Sequence, residues 1–263
     1  MQRRISLLIL LVTALAWSAR ADDADLAARL DRTAIERSTA RVVIRFEPGE
    51  LTEVQMDDFV ALSDRAVRDV AAFTGLPEPV QRVRIYVAPE VEISHTLPGR
   101  EPRMFISSDR VADRTAPYLH EMVHAVAGKG GAMWLEEGFA SYVASAVAAR
   151  YGGYYAPVLS DGNDGVDVQA RDAMTAPDAG HELDWIRRGA TPRFADQEQR
   201  RRFYILAHSF TKFLARHLGM QRLVAVHRAN DGNALRREAG GWEREWLASL
   251  SLPPERSLAA ASR

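Results

Sequence analysis

Apolar residues recur along this chain with two different periods, and the change from one to the other falls near residue 114. Ala40 to Phe46 (ARVVIRF), Val83 to Val87 (VRIYV) and Arg103 to Ser107 (RMFIS) are short runs rich in β-branched residues, and they read as strands. Between the first two, Phe59, Leu62, Ala66, Val67, Val70 and Phe73 follow a helical period over 54–74, which Gly75 closes. Residues 24–39 are polar and alanine-rich, a short helix or a lead-in, and His95 falls in the loop between the second and third strands. From 114 onward the period is helical, over 116–127, 134–150, 198–218, 220–229 and 241–250. Residues 151–182, rich in glycine and aspartate, read as one long loop, and those from Pro253 to Arg263 as a tail. The expected fold class is α+β: a small sheet-bearing lobe with one helix (22–113) joined to a mainly helical lobe (114–252) in a single domain.

The first residues carry a different pattern. Arg3 and Arg4 precede an apolar stretch from Ile5 to Trp17, and Ala19-Arg20-Ala21 has the small-x-small form of a cleavage site. Residues 1–21 therefore read as a signal peptide, and the expected location is periplasmic or secreted. The remaining sequence has no apolar run long enough for a membrane span. A formal net charge of −1 supplies no basic field for nucleic acid. The chain has no cysteine, so any metal must be held by histidine and carboxylate.

His120-Glu121-Met122-Val123-His124 supplies such a set. On a helix, positions i and i+4 share one face, so both imidazoles reach one metal ion, while Glu121 stands beside it without being a ligand. In that place a glutamate accepts a proton from water as the water attacks a carbonyl. Leu119, Met122, Val123 and Val126 give the segment the required helical period. An open catalytic zinc site needs a third protein ligand. The next helix, entered through Gly128-Lys129-Gly130-Gly131, opens with Trp134-Leu135-Glu136-Glu137-Gly138-Phe139-Ala140-Ser141-Tyr142 and offers a carboxylate at Glu136 or Glu137. The same two acids would also favour a helix N-terminus.

These residues resemble the gluzincin metallopeptidases of the thermolysin-like superfamily, and in motif the aminopeptidase N-like branch. The resemblance is strongest over 120–142 and extends across 103–220. It implies one zinc ion per chain held by His120, His124 and Glu137, with Glu121 as general base. It also implies an oxyanion donor on a later helix, where Tyr204 is the candidate and Ala207 stands for the family's glycine. Tyr204 would equally serve as a core aromatic, and His208, one turn on, is the alternative donor. The spacer between His124 and Glu137 is shorter than in the aminopeptidases. The branch's Gly-x-Met-Glu-Asn segment, which grips a substrate amine, has no counterpart before His120, so exopeptidase specificity is not implied. The Arg103–Ser107 strand is then either the sheet edge along which an extended peptide pairs or an ordinary core strand.

Remaining candidates are weaker. His95, His217 and His227 are isolated, and His181-Glu182 reads as surface. Tyr151, Tyr154 and Tyr155 line a cleft or pack a loop. Arg200, Arg201 and Arg202 read as a solvated face that could also bind a substrate carboxylate, and Ser141 as a hydrogen-bond partner for a ligating histidine. The expectation is a zinc peptidase acting on a peptide or protein. The alternatives are a non-catalytic exported binding or assembly protein that keeps the fold, and a metal-dependent hydrolase of a non-peptide bond.

Overall fold

The computed structural model describes residues 22–128, 131–155, 162–176, 179–229 and 242–251. The leader expected over 1–21 and the tail expected over 253–263 lie outside these residues.

Three apolar runs form the middle of a five-stranded sheet because both of its faces are covered. These are β2 (Val42–Phe46), β3 (Val83–Ala88) and β5 (Arg103–Ser107), which run parallel to one another. Val42, Ile44, Phe46, Ile85, Val87, Met104 and Ile106 are fully buried. Two short strands, β1 (Ile35–Ser38) and β4 (His95–Leu97), pair antiparallel on the outside, giving the order β1-β2-β3-β5-β4. So Arg103–Ser107 is an interior strand, and the edge on that side is β4, which contains His95.

Helix α2 (Glu53–Thr74) makes the crossover from β2 to β3. Thr52 and Gln55 close a capping box at its start, and Gly75, at φ +72°, ends it in the left-handed conformation that only glycine adopts freely. Its stripe of Met56, Phe59, Ala66, Val67 and Val70 packs on one sheet face, each large side chain contributing roughly 1.5–3 kcal/mol by burial. Of the two readings of residues 24–39, a short helix or a lead-in, the first part is a helix: α1 (22–33) adds to the one helix expected in this lobe and covers the opposite face, where Ala27 and Leu30 meet Tyr86, Ala88 and Phe105.

The rest is helical: α3 (Ser108–Ala112), α4 (Tyr118–Ala127), α5 (Met133–Tyr151), α6 (Gly162–Ala173), α7 (Gly180–Arg188), α8 (Gln197–Leu218), α9 (Met220–Arg228) and α10 (Trp242–Ser251). The core that begins under the sheet continues without a break into Phe139, Val143, Phe203, Leu206 and Leu214, so both lobes belong to one α+β unit. None of the described helices is long and apolar enough to cross a membrane.

The long loop expected over 151–182 contains α6 and the start of α7 instead. The buried stripe of α6 is narrow and made mostly of small residues (Val166, Ala170, Ala173). Polar contacts fix it to α8: Lys212 Nζ lies 2.6 Å from Asp167 Oδ2, and Ser209 Oγ donates to Asp167 Oδ1 at 2.8 Å. Nor is Glu182 at the surface. It is fully buried, and Arg202 donates to its Oε1 at 2.9 Å.

Candidate metal centre

Helix α4 buries Leu119, Met122 and Val123, which turns His120 and His124 toward α5. Across the turn, Glu137 in the second turn of α5 faces them. His120 Nε2 lies 3.1 Å from Glu137 Oε2 and 3.2 Å from His124 Nε2, and His124 Nε2 lies 3.7 Å from the same oxygen. A tetrahedral zinc site with bonds of ~2.0–2.1 Å places its ligand atoms ~3.3–3.4 Å apart. The observed triangle of two imidazole nitrogens and one carboxylate oxygen therefore has the size and the donor chemistry of such a site. His120, His124 and Glu137 are close enough to bind one metal ion, and Glu136, although beside Glu137, is not part of the triangle.

Electrostatics agree with the geometry. Burial alone would raise the pKa of Glu137, but hydrogen bonds and charge from His120 and His124 hold it far below the usual carboxylate range. Burial would lower His124, but Glu137, with Glu121 and Glu136, more than offsets it, so this imidazole is raised. The triangle thus presents an ionised carboxylate between two bases that hold a proton or a cation. Ser141 Oγ lies 3.3 Å from His120 Nδ1, which orients the ring with Nε2 toward Glu137.

Glu121 lies outside the triangle, almost fully buried in the same wall. The Thr96 hydroxyl of β4 reaches its Oε2 at 2.9 Å and its main-chain carbonyl at 3.0 Å. Thr96 was not singled out from the sequence. The short edge strand that carries it gives almost no periodic signal.

These groups open into a cavity of about 670 Å³ walled by β4, α4, α5, α8 and the segment around Tyr155. Tyr204 of α8 lines it. Burial, with the charge of Glu137 second, pushes its phenol well above the ordinary range, so it stays a proton donor. Arg200, one turn earlier, lies 5.6 Å above its ring. His208 is not among the lining residues; its Nε2 lies 2.7 Å from Asn163 Oδ1, and burial, Lys212 and His120 push it down to about 3. Of the three tyrosines, Tyr155 lines the cavity, Tyr154 donates to buried Asp69 at 2.7 Å, and Tyr151 is exposed. His95 pairs with Asp23 at 2.9 Å, His217 bonds the Phe213 carbonyl, and His227 stacks on Phe139 behind the metal helices.

Neither a scan against protein-family models nor a search of curated proteins finds a match for this chain.

Proposed function

We propose that this chain is an exported zinc peptidase of the gluzincin type that cleaves peptide bonds with water. The observation that carries this reading is the triangle of His120, His124 and Glu137 beside a Glu121 that is not part of it. A metal held only for structure would not need that adjacent, separately oriented carboxylate in an open cavity.

When bound, zinc supplies Lewis-acid chemistry: it acidifies water and polarises a carbonyl group. The chain's own residues do the rest. Thr96 occupies Glu121 Oε2, which leaves Oε1 to accept the water proton and later return it to the leaving amine. Tyr204, kept protonated, donates a hydrogen bond to the oxygen that develops negative charge. Ser141 holds the His120 ring. The outer side of β4 offers main-chain groups to which an extended peptide can add as a further strand, which brings its scissile bond over α4.

Elemental analysis and a peptide-library screen test this together. The expected result is close to one zinc per chain, lost in Glu137→Ala and kept in Glu121→Gln. Cleavage by the wild type should fall by about a hundredfold or more in Glu121→Gln. Undiminished turnover in zinc-loaded Glu121→Gln would refute the reading.

A further inference from the structure

Half-buried arginines in this molecule generally have acceptors. Arg45 meets Asp31 and Glu36, Arg202 meets Glu182, and Arg171 donates to the Leu250 carbonyl. Two lack a carboxylate: among the described residues, none lies within the 4.0 Å of an ion pair from Arg110 or Arg200, and Arg200 meets the Tyr204 phenol instead. Both line the cavity that holds the metal triangle. Four acids line the same space: Glu137 is engaged by two histidines and Glu121 by Thr96, beside Glu92 and Glu136. Arg110 and Arg200 are the lining arginines that no carboxylate meets, whereas Arg201 pairs with Glu198. Partial burial makes a guanidinium without an anion costly unless one arrives to meet it.

Resting on the peptidase reading above, we propose that Arg200 receives a carboxylate of the peptide that the cavity takes. Arg200 and Tyr204 stand at i and i+4 on α8, so they share a face about 6 Å apart along the helix axis. If Tyr204 faces the scissile carbonyl, a carboxylate on Arg200 belongs to a residue within about two positions of it, since an extended chain advances ~3.3 Å per residue. The arginine fork suits a carboxylate through two parallel hydrogen bonds. That carboxylate is either the peptide's C-terminus, which would direct cleavage to the chain end, or an aspartate or glutamate side chain. Arg110, on α3, adds a second cation to the lining of the same cavity.

Four fluorescent peptides of one sequence separate the sources: free acid or C-terminal amide, each with glutamate or glutamine next to the expected cleavage point. Their binding is measured by anisotropy on the zinc-loaded chain carrying Glu121→Gln, so that none is consumed. Peptides with the recognised carboxylate should bind about tenfold to a hundredfold more tightly than their neutral counterparts. Arg200→Gln, added to that chain, should abolish the difference without weakening the neutral peptides, and Arg200→Lys should restore part of it. Equal binding of all four peptides, no binding of any, or an equal loss for acid and neutral peptides in Arg200→Gln would overturn the proposal. Hydrolysis by the wild type is scored separately. Carboxylate preference without cleavage would sink the peptidase reading and keep this one; cleavage without preference would do the reverse.

Discussion

The one proton of the Thr96 hydroxyl is shared between Glu121 Oε2 and the Glu121 carbonyl, so a single hydroxyl fixes both the backbone and the carboxylate of the proposed base. Hydrogen bonds to charged groups are worth about 1.5–3 kcal/mol. If the bond's value lies in aiming Oε1, its loss appears in turnover and leaves the metal in place. Thr96→Val keeps the shape of the side chain and removes the donor. It should lower kcat by about tenfold or more while zinc content stays near one per chain, measured by steady-state kinetics beside elemental analysis. Equal loss of zinc and turnover would mean that Thr96 supports the triangle rather than the base. This contact also shows why the site was only partly legible. His120, Glu121 and His124 lie within one stretch of helix, and their spacing alone places them on one face. Glu137 needs only the next helix to fold back. Thr96 is 25 positions from Glu121, and its approach depends on β4 lying outside β5 in the sheet, an order that hydrophobic periods do not encode.

At the scale of elements, the contact of α5 with α8 sets where Tyr204 stands relative to Glu137. Gly138 makes that approach possible. A Cβ at this position would lie 2.3 Å from Thr211 Oγ1 and 2.4 Å from the Ala207 carbonyl oxygen, so the α8 backbone would have to move. In an exposed helix, Gly→Ala gains about 1 kcal/mol in propensity. Here overpacking costs about 1–3 kcal/mol or more and outweighs it. Gly138→Ala should therefore lower the melting temperature by several degrees. It should also cut kcat more than zinc affinity, because Ala207 is one turn from Tyr204 whereas Glu137 stays on α5. Calorimetry and kinetics on one preparation check this, and an unchanged or higher melting temperature would contradict it. Among the helices read correctly from the sequence, α2, α4, α5 and α8 each bury a broad stripe of large apolar side chains. The missed α6 buries valine and alanine and is otherwise held by Asn163 and Asp167 on His208, Ser209 and Lys212. Those polar contacts belong to tertiary structure and leave the local pattern looking like a loop. The edge strands β1 and β4 were missed for a related reason, being three or four residues long with polar side chains among the apolar ones.

One apolar core runs from the sheet through α5 to α8, so the molecule should unfold as a unit, and protons taken up on unfolding weigh on its whole stability. With a formal charge of −1, overall repulsion is small near neutral pH, and individual buried groups dominate the acid response. His227 is the clearest. It is 1% exposed, neither ring nitrogen has a hydrogen-bond partner among the described residues, and its face lies on Phe139 with ring centroids 4.4 Å apart. Burial, with His124 second, pushes it down to about 4, while His208 is pushed to about 3. Both are neutral in the folded chain, whereas in the unfolded chain they protonate below about pH 6.5. Because the folded pKa lies below the unfolded one, stability falls as the pH drops from about 6.5 toward about 4, by up to about 1.4 kcal/mol per pH unit for each group. His124 in the metal-free protein acts in the opposite sense, since Glu137 raises it. A difference between two proteins removes that contribution. His227→Phe keeps a ring against Phe139 and discards two unpaired nitrogens, so it should be neutral or stabilising at pH 7. Chemical denaturation of zinc-stripped protein from pH 7 to 4.5 should then show the wild type losing about 1.4 kcal/mol more per pH unit than the variant below pH 6.5. Parallel curves would mean that His227 protonates without unfolding, and that the core around Phe139 admits water.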